Sequence, residues 1–382
     1  MEVWEPVERV VLERDEYAPK RFRILFATTN HLPYIGGAEI STHHLATALL
    51  DRGHAVTIAT GSTRRSIAGL TDWATSQVRS RCRVHRDSDF GYPTLRSIKP
   101  LDALEQRLSE VVPDVVVVTG SDPHFALPAL TLSQRFPSIL YFRIGASDDF
   151  LADDVHADFV VANSRAVVER IRRRGRDADF IPSVFPQGAY RVASSRKKVL
   201  FVNPIPKKGV DIAFHLAEAR PDIPFVFSMS WRIKSAALRH LRRHARRLGN
   251  VEIRPATIDP AVLYRDCRIV LVPSQAPEGW PRIVSEAHIN GIPVIASNVE
   301  GLVDSVGPGG VLVDPKESTQ AWNEALSAVW DDEQAYNELC RRALLYSERP
   351  DLSVPNVLER FEFVIARAIE RHHDQDPPRV DV

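Results

Sequence analysis

Apolar runs of strand length recur along this chain, most of them followed by a stretch with helical spacing. Phe22-Arg23-Ile24-Leu25-Phe26-Ala27-Thr28 is the first and Ala55-Val56-Thr57-Ile58-Ala59 the second. Between them, Ile40, Leu45, Ala48 and Leu49 mark the apolar face of a helix that begins near Glu39 and is ended by Gly53. Asp114-Val115-Val116-Val117-Val118-Thr119 reads as a buried parallel strand. Runs at 139–143 and 159–164 follow, and Ser164 is placed to cap a helix over 165–174. This order predicts a doubly wound α/β unit. Residues 182–189, rich in Pro and Gly, read as a linker. The alternation then restarts with strands at 199–203, 225–227, 251–253, 269–273 and 294–296. Helices are expected after 209, over 232–247 and 260–265, after Pro281, and over 318–330, 333–346 and 354–371.

The expected organisation is therefore an arm at 1–20, a first domain at 21–186, a second at 187–350, a final helix within 351–373 and a disordered tail at 374–382. Residues 61–110 are the least readable; several arginines, Trp73 and Phe90-Gly91-Tyr92-Pro93 suggest loops around a strand.

A length of 382 residues suits two domains, each with its own core. The formal net charge is zero, so no general attraction to polyanions, and no nucleic-acid partner, is implied. Cys82, Cys267 and Cys340 are isolated and odd in number, which suggests a reducing compartment. The N-terminus lacks the apolar core of a signal peptide, and no apolar stretch reaches membrane-spanning length. A cytoplasmic location is expected. The stretch 232–247 is basic and amphipathic, and suits either a solvated outer layer or a weak peripheral membrane contact.

Candidate chemistry gathers where strands give way to helices. Pro281 suits the first turn of a helix that carries Ile283, Ala287 and Ile289 on one face and ends at Gly291. The open amides of such a start attract phosphate. Side chains tilt toward the N-terminus of their helix, so Glu278 and Glu286 can both face a ligand docked there. In the first unit, Gly36-Gly37 lets backbone amides approach a phosphate with no Cβ in the way. The dinucleotide pattern G-x-G-x-x-G is absent from that turn, which counts against a nicotinamide enzyme.

The spacing of Glu278 and Glu286, with seven residues between them, resembles the Glu-x7-Glu signature of the family 4 glycosyltransferases. Pro33-x-x-Gly36-Gly37-Ala38-Glu39 with Arg52-Gly53-His54-x-Val56 resembles that family's N-terminal signature. The resemblance implies the GT-B fold: two Rossmann-like domains facing across a cleft, with the C-terminal helix crossing back to the first domain. It implies that Glu278 contacts the donor sugar and Glu286 the ribose. Backbone amides of Gly279, Trp280, Arg282 and Ile283 meet sugar and phosphates, and Gly36 and Gly37 sit against the diphosphate, near the acceptor. Lys208-Gly209 match the donor-phosphate loop, but Asn203 stands where the family usually has Arg, unless Lys207 or Arg282 substitutes. In Ser297-Asn298-Val299-Glu300-Gly301, Glu300 replaces a usual glycine.

Arg143 departs from the family, where a His often ends that strand. It can meet the donor sugar, meet an anionic acceptor, or pair with Asp148. His124 is the nearest candidate for the missing imidazole. Glu278, Lys208 and Arg143 are then the candidate catalytic residues, and Glu39, His124 and Asp148 the acceptor-side candidates. The implied reaction moves a sugar from a nucleotide sugar to an acceptor hydroxyl, with retention, without metal and with no other cofactor. The acceptor is unidentified: a small molecule, a glycan or a lipid-linked molecule. The alternatives are a nucleotide-sugar epimerase of the same architecture and a non-catalytic sugar-nucleotide-binding partner.

Overall fold

A computed structural model describes residues 21–62, 83–119, 122–143, 156–230 and 233–375. The expected N-terminal arm, Trp73, Asp148 and residues 376–382 of the tail lie outside these residues. The first unit runs β1 (Arg23–Thr28), α1 (Gly37–Asp51), β2 (Ala55–Gly61), β3 (His85–Asp87), β4 (Thr94–Ser97), α2 (Pro100–Glu110), β5 (Val115–Thr119), α3 (Pro123–Leu132), β6 (Ser138–Phe142), β7 (Phe159–Ala162), α4 (Arg165–Arg173) and β8 (Asp179–Phe180). The short α5 (Gln187–Tyr190) connects it to the second unit. That unit runs β9 (Lys198–Val202), α6 (Val210–Ala219), β10 (Phe225–Ser228), α7 (Ser235–Leu248), β11 (Val251–Arg254), α8 (Pro260–Tyr264), β12 (Cys267–Val272), α9 (Arg282–Ile289), β13 (Val294–Ser297), α10 (Leu302–Val306), β14 (Gly310–Val313), α11 (Thr319–Trp330) and α12 (Glu333–Ser347). The last helix is α13 (Val354–Gln375).

The first sheet has the order β3-β4-β2-β1-β5-β6-β7-β8 and the second β11-β10-β9-β12-β13-β14. All pairings are parallel except β3 with β4. In each sheet the chain winds outward, returns to the first strand and continues on its other side. The reversal falls between β1 and β5 in one sheet and between β9 and β12 in the other. Open parallel sheets receive ligands at the carboxyl ends of the strands flanking such a reversal. The loops leaving β1, β9 and β12 are those that carry Gly36-Gly37, Lys208 and Glu278.

Three sequence expectations change. Ser164 sits at the start of α4 but does not cap it. Instead Asp304, from the second unit, accepts the Ala166 amide at 3.3 Å. Residues 83–97 form β3 and β4 rather than loops around one strand. Asp374 and Gln375 belong to α13, not to the tail. In α7, Leu241 and Ala245 enter the second core, while Arg239, Arg242, Arg243, Arg246 and Arg247 stand exposed. Among the described residues, no helix is long and apolar enough to cross a membrane.

The helix α13 follows the second unit in sequence but completes the first in space. Its Val357, Phe361, Val364, Ile365 and Ala368 are buried beside Phe26, Val117 and Tyr141. At the rim of that contact, Glu362 accepts from Arg52 Nη2 at 2.6 Å and pairs with His54 Nε2 at 2.9 Å. Burial alone would raise the Glu362 carboxyl, but the bonds from His54 and Arg52 outweigh it and hold it at about 2, against an ordinary 4.5. A depressed carboxyl contributes stability that is full above its unfolded pKa and lost as the pH falls toward its folded one. Glu362→Gln should therefore cost about 2 kcal/mol at neutral pH. Its urea midpoint should also fall less than the wild type's between pH 4.5 and 2. Parallel midpoints over that range would show that the pair does not anchor the helix.

Candidate active site

The second unit's phosphate loop begins where β9 ends. Asn203 adopts φ 61°, a left-handed conformation that Asn tolerates better than most side chains. Its Oδ1 accepts from the Ser230 amide at 3.1 Å and from Ser230 Oγ at 2.6 Å, which ties the loop to the end of β10. One turn of 3₁₀ helix over Pro206–Lys208 leads to Gly209, at φ 79°. A Cβ there would overlap the Pro273 carbonyl, so only glycine lets this loop lie against the end of β12. The Gln275 amide donates to the Lys207 carbonyl at 3.0 Å and fixes the contact.

That approach brings Lys208 to Glu278. Lys208 Nζ ion-pairs with Glu278 Oε1, and Ser274 Oγ donates to the same oxygen at 2.6 Å. The Glu278 loop is held from behind by Gly301, whose left-handed φ of 82° allows it to touch the Glu278 and Gly279 carbonyls. The Glu278 amide donates to the Glu300 carbonyl at 2.9 Å. Glu300 itself, the residue in place of a usual glycine, forms an ion pair with Arg170 of α4 across the domain boundary.

Beyond this loop, α9 starts after Pro281 with no side chain capping it. Glu286 is buried one turn in. Its Oε1 accepts from Arg282 Nε at 3.1 Å and its Oε2 from the Tyr264 hydroxyl at 2.8 Å. Burial, then the Glu286 charge, pushes the Tyr264 phenol well above its ordinary range, so it remains a donor.

Arg282 does not lie on the phosphate loop, where it was a candidate substitute for the missing arginine. Its guanidinium reaches out of its own domain. It donates to Ser41 Oγ at 3.1 Å and to the Tyr190 hydroxyl at 2.8 Å, contacts His44 Nδ1 at 3.3 Å, and stacks 4.3 Å from the Phe185 ring centroid. Burial and the adjacent Arg282 hold the His44 imidazole down at about 3, so it is neutral and its Nδ1 serves as acceptor. The Trp280 indole is likewise committed elsewhere. It packs with Phe185, Tyr190, Ile289 and Leu352, and its Nε1 donates to Ser285 Oγ at 2.8 Å. The side chains of both Trp280 and Arg282 are thus engaged within the protein.

Across the cleft, a Cβ on Gly37 would sit 3.8 Å from the Arg282 side chain, so the glycine loop faces the start of α9. At Gly36 the Cβ position is filled by the Glu39 carboxylate, which curls over its own helix start. Burial raises the Glu39 carboxyl, while its own amide and Arg143 oppose the rise. Arg143 follows β6, is 5% exposed, and lies with Cζ 4.3 Å from the Tyr141 ring centroid. His124 is exposed at the start of α3, directly after β5. Ile283 is partly buried at the start of α9. Asp148 lies outside the described residues. Ser41, His44, Tyr190 and Tyr264 carry no local signal, because each acquires its partner only through tertiary contact; Ser274 bonds within its own loop, where a lone Ser marks nothing.

Two parallel-sheet units opening onto one cleft, with the last helix returned to the first unit, define the GT-B class. Residues 35–183 match the family described as Glycosyltransferase Family 4, and residues 189–344 match Glycosyl transferases group 1. The chain belongs to the family 4 glycosyltransferases. It is similar to the D-inositol 3-phosphate glycosyltransferase of Paenarthrobacter aurescens, 31% identical over 150 residues that make up 37% of this chain and 36% of that protein. It is also similar to an exopolysaccharide phosphotransferase of Streptomyces coelicolor, 27% identical over 208 residues, which are 51% of this chain and 21% of that protein. The chain thus matches little more than a third, at most, of the length of these curated relatives. The crystal structure of Anabaena HepE in complex with UDP shares the fold, with a TM-score of 0.69 and 19% identity over 90% of this chain and 100% of that one.

Proposed function

We propose that the protein moves a sugar from a nucleotide sugar to an acceptor hydroxyl, with retention at the anomeric carbon and with no cofactor beyond that co-substrate. The observation that carries this reading is the Lys208–Glu278 pair at the switch point of the second sheet, beside the open start of α9 and opposite Gly36-Gly37. Anabaena HepE has been solved with UDP and with UDP-glucose, which favours a uridine nucleotide as the donor here. Retention is what the family resemblance implies.

The pair suggests how the donor enters. Lys208 is ion-paired with Glu278. A diphosphate would take over Lys208, and the released Glu278 carboxylate would accept from sugar hydroxyls. As the bond to the anomeric carbon breaks, charge grows on the diphosphate. Lys208 and the helix-start amides are placed to meet it, so this task calls for no metal ion. Glu286, steadied by Tyr264 and Arg282, has a second lone pair on each oxygen for ribose hydroxyls.

Calorimetry with UDP and UDP-glucose on three proteins tests these roles. Glu278→Ala should weaken UDP-glucose by at least tenfold, about 1.4 kcal/mol. It should leave UDP unchanged or tighter, because Lys208 loses its internal competitor. Glu286→Gln should weaken both ligands alike. Indistinguishable binding across all three proteins, or none to wild type, would make the two glutamates ordinary structural acids.

A further inference from the structure

The first unit carries buried polar atoms that the donor side does not use. They line the carboxyl ends of its parallel strands. Arg143 follows β6, Thr29 and His31 follow β1, and Thr60 and Arg96 are the penultimate residues of β2 and β4. The strand register sets Arg96 beside Thr60, and Thr60 beside Thr28. Among the described residues, Arg143 Nε and Nη2, His31 Nδ1, Arg96 Nη1, Thr29 Oγ1 and Thr60 Oγ1 are all buried without a hydrogen-bond partner. Isolated orphans are found in many proteins. Several along the carboxyl ends of one sheet, around the switch point, form a set of polar atoms with a common direction of approach.

The set is positive. A guanidinium keeps its charge in a protein, and burying one unpaired is costly. The Tyr141 ring face under Arg143 offsets part of that cost but occupies none of its N–H groups. Glu39 attracts Arg143 without hydrogen-bonding it. Arg96 has one partner, Asp87, at 2.6 Å from its Nε.

The neighbouring imidazoles add donors rather than charge. Burial, helped by Arg96, His43 and Arg143, holds His31 neutral, down at about 3. The Tyr92 hydroxyl lies 2.8 Å from both His31 Nε2 and His43 Nδ1. Its single proton can serve only one of them. When Tyr92 donates to His31, the His31 proton resides on Nδ1, the orphaned atom, and His43 donates to Tyr92. The network can thus present an N–H from His31 without creating a charge.

We propose that this edge binds an anionic group on the acceptor, a phosphate or a carboxylate, with Arg143 as counter-charge and His31 Nδ1 as a hydrogen-bond donor. The proposal rests on the transferase reading, since it names the class of acceptor for the same cleft. Gly37, at the start of the helix that carries Glu39, faces the Arg282 side chain, so this edge borders the start of α9 and the donor side. A neutral polyol could not compensate the buried guanidinium as an anion does.

Thermal melting at constant ionic strength tests it, with chloride exchanged for inorganic phosphate or for acetate. The proteins are wild type, Arg143→Gln and Lys208→Ala; the last removes the cation of the diphosphate site. Phosphate, acetate or both should raise the melting temperature of wild type and of Lys208→Ala by about 3 °C or more. The stronger anion identifies the group. Arg143→Gln should lose most of that rise, and calorimetry should show the anion binding it at least tenfold more weakly. Without ligand, Arg143→Gln should melt no lower than wild type, because an unpaired buried charge has gone. A variant that melts lower and keeps the full anion response would make Arg143 a structural ion pair, with Asp148 for instance, and overturn the proposal. So would an anion response seen only in proteins that retain Lys208, or in none. Failure of the transferase reading looks different: UDP would then bind none of the three proteins, whatever the small anions do.

Discussion

Lys208→Ala should slow sugar transfer by about a hundred- to a thousand-fold, or roughly 3–4 kcal/mol of lost charge stabilisation. The expectation rests on position. Lys208 ends a turn that Gly209 presses against Pro273, so its ammonium is delivered to one spot beside the Glu278 loop. Folding should hardly register the change. The lysine sits on a loop, and Glu278 keeps its bond from Ser274. Lys208→Arg should recover part of the rate, since it restores charge but not the compact shape of an ammonium. Single-turnover kinetics at saturating UDP-glucose isolate the chemical step. A rate within about threefold of wild type would remove Lys208 from the reaction.

Gly301→Ala should be among the most damaging single methyl groups in the second unit. The residue has φ 82°, and a Cβ would overlap the carbonyl oxygens of both Glu278 and Gly279. Left-handed strain and overpacking each cost about 1–3 kcal/mol, so a loss of roughly 3 kcal/mol or more is expected. Any relief must come from moving the 278–279 loop, which would part Glu278 from Lys208. Donor affinity should therefore fall together with stability. Gly249→Ala is the control. It has nearly the same φ, 80°, but nothing lies within 4 Å of its Cβ position. It should cost only the backbone term, about 1 kcal/mol, and spare donor binding. Equal losses in the two variants would show that backbone strain alone, and not contact with the Glu278 loop, makes Gly301 necessary.

The strand runs, the glycine loop and the two loops of the donor side could be read from residues alone, because each is a local pattern with a local cause. A buried parallel strand must be apolar throughout, and a glycine in a left-handed turn has few substitutes. The misses share the opposite property. Arg282 follows a phosphate-attracting proline turn, yet its side chain goes to Ser41, His44 and Tyr190, which only tertiary folding delivers. Ser164 has the right chemistry and position for a cap, but Asp304 of the other unit makes the bond. Glu300 interrupts a glycine motif, and its reason is Arg170, 130 residues earlier. The strand His85–Asp87 is polar and three residues long, so no periodicity could announce it. The helix Pro123–Leu132 contains Pro128, a residue that argues against a helix interior.

The return of α13 to the first core bears on how enzymes of this kind can be recombined. Judged by sequence, the chain divides once, near residue 187, and a donor half could be exchanged for another by a single cut there. Judged by packing, Val357, Phe361, Ile365 and Ala368 belong to the half that precedes the cut. A one-cut chimera would graft a foreign helix onto Phe26 and Tyr141. Two junctions are needed, one in the linker and one between α12 and α13. The inserted half must also carry an acid at 304 and at 300 to meet Ala166 and Arg170. Inheritance of donor specificity in such a protein is thus the exchange of a segment held at both ends, not the swap of a C-terminal half.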